Sequence, residues 1–212
     1  MPDVEDLLRI VTPSLEELRQ LDPKGARVFG AKRHRYVLHP PLEEEAVLRF
    51  ERKHSIALPA DYRAFVIELG NGGAGPYHGV FKLGEMDHNA GFKPWKLGES
   101  VGVPAKPFPH DEAWNLPQTD LERLQASEDD DETLLIYWVA INGAIPLCHE
   151  GCALRDWLAV SGPEAGHVWH DATADFEGWS PCTLPGRRRV TFADWYLAWL
   201  DKALQAARTK QL

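Results

Sequence analysis

Between Leu134 and His170, short apolar stretches follow one another with only turn residues between them. Such spacing leaves no room for the crossover helix that parallel neighbours require, so this half of the chain must form an antiparallel meander. Leu134 to Ile141 (LLIYWVAI) is unbroken apolar sequence and predicts a central strand buried on both faces. Asn142-Gly143 is a hairpin signal. Ile145 to His149, Ala153 to Val160 and His167 to His170 then read as strands, punctuated by Glu150-Gly151, Ser161-Gly162-Pro163 and Asp171.

Helical spacing frames this sheet on both sides. Val4, Leu7, Leu8 and Val11 recur with a helical period, Thr12-Pro13-Ser14 interrupts, and Leu15, Leu18 and Leu21 resume it. Pro23-Lys24-Gly25 closes this arm, and the basic cluster Lys32, Arg33, His34 and Arg35 reads as a loop or short strand. A helix is expected from Leu42 to Lys53, with Glu43, Glu44 and Glu45 at its dipole-favoured start. Another follows Leu58-Pro59, with Tyr62, Phe65, Val66 and Leu69 on one face and a left-handed Gly70 ending it. Asn71 to Pro76 is a turn cluster and Gly79 to Leu83 a short strand. Residues 84 to 118 read as an ordered excursion pinned by Phe92, Trp95, Phe108 and Trp114, and Thr119 to Ser127 as a short helix. Thr191 opens a capping box with Asp194, followed by the stripe Phe192, Trp195, Tyr196, Trp199, Leu200 and Leu204 of a terminal helix. Helices first, strands in the middle and a helix last give an α+β fold.

Charge and cysteine usage narrow the setting. Against 32 acidic residues stand 23 basic ones, a net charge of -9, which opposes a nucleic-acid footprint and suits a basic protein partner. No apolar run approaches the ~20 residues of a membrane span, and acids occupy the N-terminus where a signal peptide carries bases. Cys148, Cys152 and Cys182 are an odd set in a chain too large to depend on disulfides, so a reducing cytoplasm is expected.

Several local patterns invite chemistry. The cluster GNGGAGPY lacks the Gly-Lys-Ser/Thr ending of a phosphate loop and follows a helix, so it reads as a structural turn. Cys148, His149 and Cys152, with His167, His170 and Cys182, hold donor atoms that zinc accepts, yet the spacing lacks a second matched pair and favours packing over metal. His170, Asp171 and Asp175 have acid-base chemistry but no nucleophile motif nearby. The acidic run Glu128, Asp129, Asp130, Asp131 and Glu132 is either a solvated loop or an electrostatic lure for a basic surface. Trp95, Trp114 and Trp179, in Gly/Pro-rich loops, either pack inward or anchor a binding face.

Leu58, Pro59, Tyr62 and Phe65, then Gly70, Asn71, Gly72 and Gly73, then Pro76, Tyr77 and Gly79 join a helix, a turn and a strand. This order resembles the N-terminal signature of the SUKH superfamily, in the branch named after the yeast cell-wall assembly regulator. Residues 107 to 115, 143 to 169 and 190 to 201 are similar to long bacterial members. The resemblance implies helices packed on a curved, mostly antiparallel sheet, with a domain at 40–206, a helical extension at 1–39 and a tail at 207–212. It further implies a cytoplasmic bacterial immunity protein without catalysis, cofactor or metal, which binds and neutralises a cognate polymorphic toxin, often a nuclease. Nucleic acid and membrane are not expected partners, and a monomer is expected. On this reading Glu128 to Glu132 form part of the partner face. The alternatives are a regulatory module with several partners and, more remotely, a small-molecule enzyme using the strand-end His and Asp residues.

Overall fold

The computed structural model describes residues 4–85, 102–126 and 141–209. Its helices are α1 (Val4–Leu21), α2 (Ala31–His34), α3 (Glu44–His54), α4 (Ala60–Ala64, continued as a π-helical turn over Phe65–Leu69), α5 (Gln118–Ala126) and α6 (Phe192–Thr209). Its strands are β1 (Ala144–Gly151), β2 (Leu154–Ala159), β3 (Val168–Ala172) and β4 (Gly178–Pro181). They form one sheet in the order β1-β2-β3-β4, every pair antiparallel, so the expected α+β architecture and the meander are present. β4 was not expected. It is four residues long, and Gly178 and Pro181 at its ends make the segment look like a turn. All of the expected strand Leu134–Ile141 except Ile141, which lies in a turn, falls outside the described residues, as do the acidic run, Phe92 and Trp95. No helix among the described residues is long and apolar enough to cross a membrane.

α1 corrects the expected interruption at Thr12-Pro13-Ser14: it runs unbroken through Pro13. Pro13 is exposed, so the carbonyl deprived of its partner by the missing N–H faces water, and the apolar stripe Leu7, Val11, Leu15 and Leu18 continues past it fully buried. α1 packs against α6, whose Leu200, Ala203 and Ala207 belong to the same buried cluster. Arg27 Nη1 donates to the Ala207 carbonyl at 2.7 Å, and Arg208 pairs with Glu17. The capping box at the head of α6 is reciprocal: Asp194 N–H donates to Thr191 Oγ1 and Thr191 N–H to Asp194 Oδ2. The basic cluster is likewise corrected, since Lys32, Arg33 and His34 lie in α2 and only Arg35 turns left-handed after it.

A ring cluster ties α4 to α6. Tyr62 and Phe65 each lie 5.0 Å from Phe192, Phe65 lies 5.0 Å from Tyr196, and the Tyr196 hydroxyl donates to the Ala74 carbonyl. Gly70 is not left-handed. Its φ of 170° is extended, because the π turn, closed by Gly70 N–H on the Phe65 carbonyl, already ends the helix. Glycine is needed there for space: a Cβ would stand 2.6 Å from the His39 carbonyl oxygen. Gly73 does hold a positive φ of 104°, and a side chain would also strike the Val37 carbonyl. Gly73 and Val80 exchange backbone hydrogen bonds, and Val80 bridges Cys148, so the motif turn is sewn to the edge of β1.

Candidate functional site

The sheet register builds the site. Cys148 of β1 pairs with Asp156 of β2, Asp156 with His170 of β3, and His170 with Ser180 of β4. Directly opposed residues share a face, so these four side chains form a row across the sheet. A register shift between His149 and Gly151 inserts Glu150 as an extra residue. Bulges re-aim side chains in this way, and Glu150 reaches the same row. Its carboxylate Oε1 lies 2.7 Å from His170 Nδ1, and Asp156 Oδ1 lies 3.2 Å from that same nitrogen.

Glu150, Asp156 and His170 lie along a cleft of about 620 Å³, together with Tyr77, Ser180, Cys182 and Trp195. Asp156 is 3% exposed. It accepts a hydrogen bond from Trp195 Nε1 at 2.8 Å, which fastens the sheet to α6, and weak ones from Cys182 Sγ at 3.6 Å and Cys148 Sγ at 4.0 Å. Burial and the nearby Glu150 charge raise the Tyr77 hydroxyl above its ordinary range. Burial pushes the Asp156 carboxyl up to about 6, aided by the neighbouring Glu150 charge and opposed by the His170 hydrogen bond. Burial acts the same way on Glu150, but the adjacent His170 imidazole outweighs it and leaves that carboxyl below its ordinary value. The hydrogen bond to Asp156 and the Glu150 carboxylate beside it in turn push the imidazole up to about 10. At neutral pH the cluster is therefore a protonated imidazole held between two carboxyl groups. Burial raises the Cys148 and Cys182 thiols well above their ordinary range, so neither is an activated nucleophile.

The structure separates most of the expected chemical residues. His170 and Asp171 are neighbours on a strand and face opposite ways. Asp171 accepts from Trp157 Nε1 and from the Thr173 N–H and hydroxyl, a buried turn-forming role. Asp175 is exposed in the 3-10 turn Thr173–Asp175, and His167 pairs with Glu164. Of the zinc candidates, Cys152 is exposed in the β1–β2 turn, while Cys148 and Cys182 donate weakly to Asp156. Trp179 is buried, and Trp114 packs against the core.

Phe29 was not singled out from the sequence. It is 68% exposed on the cleft rim, with its ring 5.6 Å from His78 and 6.4 Å from Tyr77. Glu150 and Asp156 were missed as well. Asp156 did carry a signal, because Arg155 and Asp156 interrupt an otherwise apolar strand. Glu150 carried none, as its position depends on the bulge. Compared with models of protein families, with curated proteins and with solved structures, the chain matches none of them.

Proposed function

We propose that this chain is a non-catalytic protein-binding domain of the SUKH type, an immunity protein that neutralises a basic toxin. The observation that carries the reading is Phe29, an aromatic side chain left 68% exposed beside a cleft floored by carboxylates. Exposed aromatics next to a recess are the usual anchors of protein interfaces. Net charge supports a basic partner: -9 over the chain favours rapid capture of a positively charged surface. The state of His170 supports binding over hydrolysis. Ser180 is its cross-strand neighbour, but an imidazole held protonated between two carboxyls is not a base for a hydroxyl proton. The acidic run Glu128 to Glu132 belongs to the same proposal as the steering element.

Co-expression with the product of the adjacent reading frame, which the proposal expects to be a toxin, tests the function directly, and the expected outcome is rescue of growth. Phe29→Ala should weaken binding by tenfold or more, the cost of about 2 kcal/mol typical of an interface anchor. Reversal of Glu128, Asp129, Asp130 and Asp131 to Lys should slow association at low salt, with dissociation changed less. Absence of rescue, or binding unchanged in both variants, contradicts the reading.

A further inference from the structure

We propose that Glu150, Asp156 and His170 form a site for one borderline divalent cation, of which Zn²⁺ is the representative, with its remaining coordination positions open to the cleft. The claim is independent of the partner-binding reading and rests on geometry. One donor atom from each side chain lies within 4.8 Å of the others, and they are the single such set of three among the described residues. The two measured edges, 2.7 and 3.2 Å from His170 Nδ1, are close to the roughly 2.9–3.4 Å between adjacent ligands around a cation with bonds of ~2.0–2.1 Å.

A second observation points the same way. The single N–H at Nδ1 is aligned on Asp156 Oδ1, and Glu150 Oε1, although only 2.7 Å from that nitrogen, is buried without an aligned hydrogen bond. That oxygen is itself buried, and the Glu150 side chain is 10% exposed. A cation between the three donors satisfies this oxygen and releases the Nδ1 proton to solvent. Two carboxyl groups beside one imidazole attract a doubly charged ion.

Donor chemistry selects the ion. One imidazole nitrogen and two carboxylate oxygens suit zinc and its first-row neighbours better than calcium or magnesium, which take all-oxygen shells. Three protein donors beside open space is the arrangement that leaves a position for water or an incoming group. Lys202 also lies along the cleft, but it is exposed, and its flexible stem lets the ammonium stay in water. Bound ion would join β1, β2 and β3 at one point, and through Asp156 reach Trp195 of α6.

Calorimetric titration of the full chain with ZnCl₂, after chelator treatment and dialysis, tests the site. One ion per chain is expected, with unchanged affinity in Cys152→Ser and affinity reduced by about tenfold or more in Glu150→Gln and in His170→Gln. Equal affinity in all variants, loss of binding in Cys152→Ser, or calcium bound in preference to zinc would overturn the proposal. Should either site variant fail to fold, the absorption spectrum of the unaltered chain with Co²⁺ decides. Cobalt d–d bands without thiolate charge transfer support the nitrogen and oxygen set, whereas a thiolate band, or no spectrum beyond aqueous cobalt, overturns it.

Discussion

Along the seam of α1 and α6, burial is achieved with Leu7, Val11, Leu15 and Leu18 on one helix and Leu200, Ala203 and Ala207 on the other. On the cleft side of the sheet, comparable depth is filled by Asp156 at 3% exposure, with Glu150 and His170 against it. The seam follows directly from the sequence period, and its stability comes from apolar area removed from water. The cleft floor gains little from burial. Removing charges from water costs several kcal/mol per ion before pairing returns it, and well-packed apolar side chains in their place are often as stable or more so. A fold alone would not select that arrangement. The contrast is the reason for placing the proposed binding face and cation site on the sheet side, with the helical seam as scaffold.

The largest expected effect comes from transplanting the chemistry of one region into the other. Leu18→Asp buries an unpartnered carboxylate in the seam and should destabilise by more than about 4 kcal/mol, enough to leave the chain unfolded in a denaturant titration. Retention of a cooperative transition near the wild-type midpoint would erase the distinction between the regions. A smaller effect is expected at the floor. Asp156→Asn keeps an oxygen for Trp195 Nε1 but loses the charge facing His170, and should cost about 1–2 kcal/mol in the same titration.

A further effect is the pH dependence, measured with chelator present. Folding raises the His170 imidazole to about 10, from an ordinary value near ~6.5. The folded state therefore binds the extra proton, and this contribution is complete below about pH 6.5 and lost as pH rises towards 10. The thermal midpoint should fall between pH 7 and 10 more steeply in the wild type than in His170→Gln. Parallel profiles for the two proteins would show that His170 contributes no such term.

Much of the architecture could be read from local pattern, since α1 and α6 bury helical stripes and β1 to β3 are short apolar runs bounded by turn residues. Local rules failed where tertiary contacts decide. Pro13 was read as a break, yet an exposed prolyl position costs α1 one hydrogen bond and none of its apolar stripe. Gly70 was read as a left-handed terminator, whereas its constraint is the nearby His39 carbonyl, a contact that sequence spacing does not encode. The site was legible in part. His170 was found, because a histidine among strand residues stands out. Its partners were not, because Asp156 meets it only through the β2–β3 register and Glu150 only through a one-residue bulge. Sequence adjacency instead favoured Asp171, which β alternation sends to the opposite face.

Hydrogen exchange of the chain, alone and in complex with a basic toxin that it is proposed to neutralise, tests the proposed function most directly. The account predicts added protection in peptides carrying Phe29, Tyr77 and Cys182 around the cleft, and unchanged exchange in α1 from Val11 to Leu18. Protection confined to α1 and α6, with the cleft peptides exchanging as in the free protein, would contradict it.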